Sequence, residues 1–474
     1  MGDRVQRPAR TQDIAITHAP SGYCLATERD QPNRAPPSEA TTLGRIVARR
    51  IPFPLQPLRM RLTPIATALI LLLASCGDDR GSSNSVVRDQ RGDTLVLAIR
   101  GEGTWGGAAR LVPVATFGEA EGSDTVILGR IIALAAAPDG RLVATDAQRL
   151  AVRVFDAALR PLALWGREGS GPAELRNPDG GLAVLSDGRV AVRDPGNARM
   201  QIFSSAGASG GEWRVVDAGL RTRDNFGLQG DTLLSRVVVM AEGPIDTWRY
   251  GLARIAPNGM VLDTVMLPTV GAARPTLVAR RGNNTAELPL PFSASALSTW
   301  HPSGGFATAD GDRYAITWPQ SGGMVRVERD VQPVAVSDAE AAQERAYVTK
   351  GLQWLDPTWT WTGPDLPRTK PLISQLFVGT DGSVWAVREG EAVDGDDPDF
   401  TPNDASSVER RLKSRLSFDV FTASGEYLGA LDLPPGMQLR PQPVFTTTGL
   451  TALTLDDIGV PRLVRYRVET PAAR

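Results

Sequence analysis

Four aspartates form a short acidic cluster whose side chains could bind a cation. They are Asp394, Asp396, Asp397 and Asp399. Carboxylate oxygens are ligands that Ca²⁺ prefers in proteins. The spacing of the cluster does not match the EF-hand calcium loop, so we favour a solvated acidic loop. The sequence therefore requires no cofactor, and Ca²⁺ is the metal to test at this position.

Three tryptophans, Trp354, Trp359 and Trp361, follow a helix signal. The signal is Ser337-Asp-Ala-Glu340, a capping box that predicts a short helix to about Lys350. Exposed indole rings could form a platform for a carbohydrate or a peptide. The alternative, which we favour, is that the tryptophans pack this loop onto the scaffold.

The signals for an enzyme are poor. Gly207-Ala-Ser-Gly-Gly211 fits G-x-S-x-G, but it lies at a predicted turn between strands instead of a strand-to-helix turn. A serine hydrolase also needs a histidine, and the chain has only His18 and His301. Two histidines and two cysteines exclude a zinc site with clustered ligands. We also find no phosphate-binding loop or dinucleotide fingerprint.

The segment from Met60 to Cys76 has the layout of a secretory signal peptide: a short positive start, an apolar run, and small residues before a cysteine. Leu73-Ala74-Ser75-Cys76 resembles the bacterial lipobox. This resemblance implies that Cys76 carries lipid and anchors the protein to a membrane. Gly77 after the cysteine favours the outer membrane of the cell envelope. The alternative interpretation of the whole segment is a buried apolar segment with a chance cysteine.

Composition divides the amino-terminal part of the chain. Residues 1–59 are rich in proline and arginine, and we expect a mis-assigned start or a disordered extension. Residues 60–75 are the predicted signal peptide, and residues 76–93 a flexible tether. After Ser75 there are 41 basic and 48 acidic residues, so a nucleic-acid partner is not expected.

A repeat provides the scaffold for these candidate sites. Pro138-Asp-Gly-Arg-Leu-Val-Ala-Thr-Asp146 and Ser186-Asp-Gly-Arg-Val-Ala-Val-Arg-Asp194 share aspartates and glycines at an offset of 48 residues. A repeat of about 40–50 residues built from short strands is typical of a β-propeller blade. We therefore predict an all-β propeller over residues 94–474, with no disulfide in the fold.

The strand pattern predicts six four-stranded antiparallel blades, with seven as the alternative because the third copy is degenerate. The last blade is one strand short, and Arg110–Phe117 matches an outermost strand that has no blade before it. Placing this N-terminal strand in the last blade would complete the blade and remove exposed sheet edges.

The two clear copies resemble the NHL-repeat class of six-bladed propellers. The resemblance rests on Asp187–Asp194, Gly196-Asn197, Arg199–Phe203 and Trp165–Pro172, and it is thin outside the first two blades. It implies the fold more than an activity, since the class includes protein-binding modules, RNA binders and a few enzymes.

The predicted insertions all fall on one face of the propeller. They are residues 269–291, 336–371 and 389–411, whereas the turns of the other face are short. Long loops gathered on a rigid scaffold usually carry binding. The candidate ligand-binding residues on this face are Arg167, Glu168, Arg176, Trp354, Trp359 and Trp361.

The sequence favours a monomeric, lipid-anchored binding or scaffold module outside the cytoplasm, with a protein, peptide or glycan as its partner. The alternative is a metal-dependent hydrolase or lyase with its site in the channel, similar to lactonase-type propellers. A third interpretation is a structural protein of the envelope.

Overall fold

The structure is a computed structural model. It describes residues 84–470 apart from 108, 124, 215–224, 241–248, 272–273, 283, 396, 398–399 and 401–406, and also the backbone pairing of Leu25–Ala26. Within these residues no helix is long and apolar enough to cross a bilayer. The strands that come before the first blade in the described chain are β1 (Leu25–Ala26), β2 (Ser85–Arg91), β3 (Thr94–Arg100) and β4 (Arg110–Phe117).

Six blades, each with four antiparallel strands, surround a central channel, so the predicted six-bladed propeller is confirmed. Strands of blades one to three are β5 (Ile131–Ala136), β6 (Leu142–Asp146), β7 (Ala151–Phe155), β8 (Pro161–Trp165), β9 (Leu182–Val184), β10 (Val190–Asp194), β11 (Arg199–Phe203), β12 (Ser209–Trp213), β13 (Gly227–Gln229), β14 (Thr232–Met240), β15 (Arg249–Ile255) and β16 (Val261–Met266). A short 3₁₀ helix, Pro195–Asn197, joins β10 to β11.

The second half of the ring carries the largest additions. Its elements are the hairpin β17 (Thr276–Arg281) and β18 (Asn284–Pro289), blade four with β19 (Ala296–His301), β20 (Gly305–Asp310), β21 (Ala315–Gln320) and β22 (Gly323–Arg329), helix α1 (Asp338–Gln353), blade five with β23 (Gln375–Val378), β24 (Val384–Asp394), β25 (Leu412–Phe421) and β26 (Tyr427–Asp432), and blade six with β27 (Val444–Thr446), β28 (Gly449–Leu455) and β29 (Pro461–Glu469). Strand β1 pairs with β18.

Blade six takes its fourth strand from the other end of the chain. Strand β4 pairs antiparallel with β29, with Phe117 opposite Leu463 and Arg110 opposite Glu469. Arg110 also forms an ion pair with Glu469 at 2.6 Å. The pairing gives β29 a partner on both edges, so this blade is four-stranded like the others.

Blade four is extended beyond four strands. Strand β3 adds parallel to β22, and β2 pairs with β3 as the last strand of a six-stranded sheet. Residues 85–91 fall in the stretch expected to be a tether, so the structure differs from that expectation. The side chains of β2 are all exposed. The composition of β2 therefore does not indicate a buried strand. Backbone hydrogen bonds to the apolar β3 hold it in place.

The two clear copies of the repeat share the same turn, which requires an aspartate and a glycine at the same positions. Gly140 and Gly188 have φ angles of 86° and 82°, a conformation that glycine adopts without strain. The carboxylate of Asp187 accepts a hydrogen bond from the backbone N–H of Arg189, which lowers the pKa of Asp187. These turns join the two inner strands of a blade, and they are short.

Neighbouring blades pack through large apolar side chains. Trp165 of blade one stacks on Phe203 of blade two with ring centroids 6.2 Å apart. Between blades five and six, Trp385 and Phe445 are fully buried with centroids 4.9 Å apart. Since such contacts recur between blades, the core is a ring of interfaces around the channel.

Candidate functional site

The central channel is a cavity of ≈ 1420 Å³. Ligand sites in proteins commonly occupy about 300–1,000 Å³, so a small ligand fits with room to spare. Each blade contributes its innermost strand to the wall. One lining residue from each of the six inner strands is Leu134, Ala183, Leu228, Leu297, Leu376 and Val444.

The two ends of the channel differ. We call the end with the short turns between inner strands the turn face, and the end with the long insertions the loop face. Asp231 lines the channel at the turn face, where its carboxylate accepts hydrogen bonds from the backbone and hydroxyl of Ser186, both at 2.7 Å. Among the described lining residues, the remaining charged groups belong to the loop face: Arg236, Arg274, Glu389 and Arg440.

Strand register places two of these groups in the mouth. The inner strands of blades three and five end before their partners do, with last pairs Gly227↔Leu234 and Gln375↔Val387. Side chains two positions apart on a strand share a face. Arg236 and Glu389 each lie two residues beyond these pairs, so both project past the inner strand into the loop-face mouth.

The other two arginines come from connections between blades. Arg274 lies before β17 and donates hydrogen bonds to the hydroxyl of Ser293 and the carbonyl of Leu290, both at 3.2 Å. Desolvation of the guanidinium group lowers the pKa of Arg274, and the negative charge of Glu389 partly offsets this effect. Arg440 lies in the connection between blades five and six.

The insertions of the loop face are joined to one another. Helix α1 begins at the predicted capping box, with Ser337 and Glu340 bonded reciprocally, so that prediction is confirmed. Its apolar side packs on the β17–β18 hairpin through Val348 and Leu352. Gln343 exchanges two hydrogen bonds of 2.8 Å with the backbone of Leu412, at the extended end of the β24–β25 hairpin.

The structure does not bring the three tryptophans together as an exposed platform. Trp359 is buried and donates its indole N–H to the carbonyl of Val278 at 2.9 Å. Trp361 packs on Trp359 and lies under the guanidinium of Arg345. Only Trp354, at 65% exposure, presents its ring to solvent. Trp359 and Trp361 therefore pack the loop onto the scaffold.

Two residues of the acidic cluster, Asp394 and Asp397, lie at the far end of the extended β24–β25 hairpin. Asp394 forms an ion pair with Arg411 at 3.0 Å, and Asp397 accepts a hydrogen bond from the backbone of Arg410 at 2.7 Å. Asp396 and Asp399 lie outside the described residues. Within the described part of the chain, no group of three or more His, Cys, Asp or Glu side chains could hold a metal ion.

The candidate residues Arg167, Glu168 and Arg176 are exposed in the connection between blades one and two. Arg167 forms an ion pair with Glu174 at 2.8 Å. The backbone N–H groups of Arg176 and Asn177 bond to the buried carboxylate of Asp194. Asp194, one of the repeated aspartates, therefore fixes the backbone of this connection through hydrogen bonds. Asp146 plays the same part in blade one, where it pairs with buried Arg153 at 2.9 Å.

His301 and Ser209 do not form a catalytic pair. His301 is buried at the turn face, and its Nε2 lies 3.0 Å from the carbonyl of Gly382 in the next blade. Its Nδ1 accepts a hydrogen bond from the backbone of Ser303 at 3.2 Å, and burial lowers its pKa. Ser209 begins the outer strand of blade two. Cys76 lies outside the described residues.

A buried polar network joins blades four and five away from the channel lining. The carboxylate of Asp419 accepts hydrogen bonds from Tyr314 and Tyr427 at 2.6 and 2.7 Å, and it pairs with Arg329 at 2.7 Å. Burial and the charge of Asp419 raise the pKa of both phenols, so they stay protonated and donate. Sequence reasoning missed this network because its members come from three separate strands and one turn.

The three mouth arginines were also missed. They belong to different blades, have no shared spacing and sit outside the repeated motif, so no sequence signal groups them. What connects Arg236, Arg274 and Arg440 is the ring closure of the propeller, which brings distant connections to one channel mouth.

Comparisons with known proteins find similarity to solved structures alone. No protein-family model and no curated protein matches the chain. A member of the DUF4221 family from Bacteroides vulgatus is similar over 77% of this chain and 99% of its own, with 10% identity and a TM-score of 0.45. Virginiamycin B lyase from Staphylococcus aureus is similar over 76% of this chain and 98% of its own, with 10% identity and a TM-score of 0.35. No activity is carried over from these likenesses. The chain is a six-bladed β-propeller by its own strand pairing.

Proposed function

We propose that this protein is a lipid-anchored binding module of the cell envelope. In this proposal, Cys76 carries the lipid, and a protein, peptide or glycan docks on the loop face at the channel mouth. The observation that carries the binding role is the joined set of insertions around an open channel. Helix α1 and the β17–β18 hairpin lie outside the sheets of the ring, and the β24–β25 hairpin extends beyond the four-stranded part of blade five. Their elaboration on one face calls for a role other than building the fold.

The polar contacts between the insertions support a preformed surface. Arg410 of the extended hairpin pairs with Glu344 of α1 at 2.8 Å and lies over the ring of Tyr347. The ammonium group of Lys370 bonds to the carbonyl of Gly390 and the hydroxyl of Ser414. A surface held in this way loses less conformational entropy on binding than loose loops would, which favours affinity.

The metal-dependent hydrolase or lyase is the second candidate, and no specific observation favours it. The carboxylates that line the channel within the described residues are Asp231 and Glu389, which lie at opposite ends. Such an enzyme needs carboxylates that converge on one ion.

The test compares the full chain with a variant trimmed on the loop face. Asp394 and Leu412 are paired across β24–β25, so an Asn-Gly turn can replace residues 395–411 without shifting the register. A matched control inserts Gly-Ser at the turn-face loop between Asn258 and Gly259. Peptide and glycan arrays should show ligands that bind the full chain and the control but lose affinity for the trimmed variant. Equal binding by all three proteins would contradict the proposal.

A further inference from the structure

The loop-face mouth is positively charged in a protein whose overall charge is negative. Three guanidinium groups, those of Arg236, Arg274 and Arg440, line it against the carboxylate of Glu389. The whole chain has a net charge of −2. Three guanidinium groups against one carboxylate leave the mouth with a net positive charge. A charged cleft with walls of low dielectric constant concentrates ions of the opposite sign. The mouth therefore attracts anions.

The arginines are accessible to a ligand. Arg236, Arg274 and Arg440 are all exposed while lining the channel, whereas Glu389 is half-buried and accepts a hydrogen bond from the hydroxyl of Ser414 at 3.1 Å. The guanidinium group of Arg236 lies over the aromatic ring of Tyr250, 4.7 Å from the ring centre. Planar guanidinium groups donate paired hydrogen bonds to carboxylate, sulfate and phosphate oxygens.

Apolar groups lie beside the charged groups. Leu252, Leu267 and Pro268 line the same cavity next to blade three, and Leu228 lines it deeper in the channel. A ligand can therefore place an oxyanion group at the arginines and an uncharged portion against this wall. The cavity of ≈ 1420 Å³ limits the inserted part to a small molecule or the end of a short oligomer.

We propose that the loop-face mouth binds a small ligand that carries a carboxylate, sulfate or phosphate group, and that Arg236, Arg274 and Arg440 recognise that group. This inference rests on the proposed binding role and adds the chemistry of the ligand. The same oxyanion chemistry is found on acidic sugars and on acidic peptides, and the experiment separates these two sources.

The experiment measures binding of four probes to the full chain by calorimetry. Trigalacturonate carries carboxylates on sugar rings, and its methyl ester is the uncharged partner. Triglutamate carries them on a peptide, and triglutamine is its partner. We expect at least one acid to bind at least about tenfold more tightly than its uncharged partner, because hydrogen bonds to charged groups are the stronger ones. The affinity should fall as salt is added.

Three variants locate the binding. Arg236→Gln, Arg274→Gln and Arg440→Gln should each weaken binding of the acid about tenfold or more, since each removes a charged donor. Arg160→Gln is the matched control, because Arg160 lies on the turn face with its side chain 79% exposed. Arg274 also bonds to the backbone, so thermal melts identify a variant that fails to fold, and the other two still decide the result.

Two results would overturn the anion site. One is that neither acid binds more tightly than its uncharged partner, whether both bind equally or neither binds at millimolar concentration. The other is affinity that is unchanged in Arg236→Gln and Arg440→Gln. If an uncharged array ligand still lost affinity for the trimmed hairpin variant, the binding role would stand while the anion site failed.

Discussion

The ammonium nitrogen of Lys370 lies 2.5 Å from a carboxylate oxygen of Glu340, and both side chains are almost completely buried. Burial alone would raise the pKa of Glu340, but the hydrogen bonds from Lys370 and Ser337 and the charge of Lys370 together outweigh it, so the pKa is lowered. Glu340 also accepts the hydrogen bond from the backbone of Ser337 that closes the capping box. One ion pair therefore ties the start of α1 to the base of the extended hairpin.

Replacing Lys370 should loosen the loop face. Lys370→Met leaves the charge of Glu340 buried without its partner, and breaking a buried pair in this way costs about 3–5 kcal/mol. We expect the free energy of unfolding, measured in urea, to fall by that order. The matched control is Lys350→Met in the last turn of α1, where the side chain is only half-buried. Equal stability of the two variants would show that the pair is not structural.

Removing the charge of Asp419 should weaken the contact between blades four and five. Asp419→Asn keeps the shape but leaves Arg329 buried without a counter-charge, which costs about 3–5 kcal/mol by the same argument. Thermal melts of the full chain measure the loss. Asp432→Asn, at an exposed position in the next strand, is the control and should change the melting temperature little. A melt that Asp419→Asn leaves unchanged would contradict the role of this network.

The pH dependence of stability should report His301. Burial lowers its pKa in the folded protein, whereas the unfolded chain has the ordinary value near 6.5. The unfolded state then binds more protons below that value, so the stabilisation is complete above about pH 6.5 and is lost as the pH falls towards and through the folded pKa. Unfolding free energies measured between about pH 5.5 and 7.5 should fall on the acid side.

The slope can be assigned because the chain has only two histidines. His301→Gln should flatten the dependence between about pH 5.5 and 7.5, since glutamine does not titrate. His18→Gln is the control and should keep the slope of the parent. If the parent and His301→Gln have the same slope, the buried histidine does not control this part of the curve.

The sequence predicted the ring because the fold repeats local chemistry. Asp187 and Gly188 form the same turn as Asp139 and Gly140, and such turns leave a visible period. The mouth could not be predicted in this way. Arg236 and Arg440 are 204 positions apart, and their meeting depends on strand ends and on the closure of the ring. Neither property is encoded in a local pattern.

Strand β2 is a second feature that the local sequence pattern did not predict. The polar composition of residues 76–93 predicted a tether that includes Ser85–Arg91. In the structure this segment is a strand whose side chains are all exposed. A strand that contributes only backbone hydrogen bonds has no alternation of apolar and polar positions to detect. Its pairing follows from β3, whose Leu97 and Ile99 are buried in the apolar cluster between blades four and five.

Removing divalent metal should leave the protein unchanged if the acidic tip is a solvated loop. Asp394 is paired with Arg411, a cation that already offsets its charge. We expect the same melting temperature with and without EDTA, and no Ca²⁺ retained after dialysis. A melt that falls on chelation and recovers with Ca²⁺ would assign metal to the cluster. Asp394→Asn with Asp397→Asn would then have to abolish that response.

Membrane association should depend on the cysteine of the lipobox-like segment. In Cys76→Ser the hydroxyl cannot take the thioether-linked lipid, so the protein should leave the membrane fraction and lose labelling by a radioactive fatty acid. Several acyl chains anchor a protein stably, so the shift should be close to complete. Cys24→Ser is the matched control because Cys24 is the only other thiol in the chain, and it should leave both readouts unchanged. If Cys76→Ser stays in the membrane fraction, something other than a lipid on this residue holds the protein there.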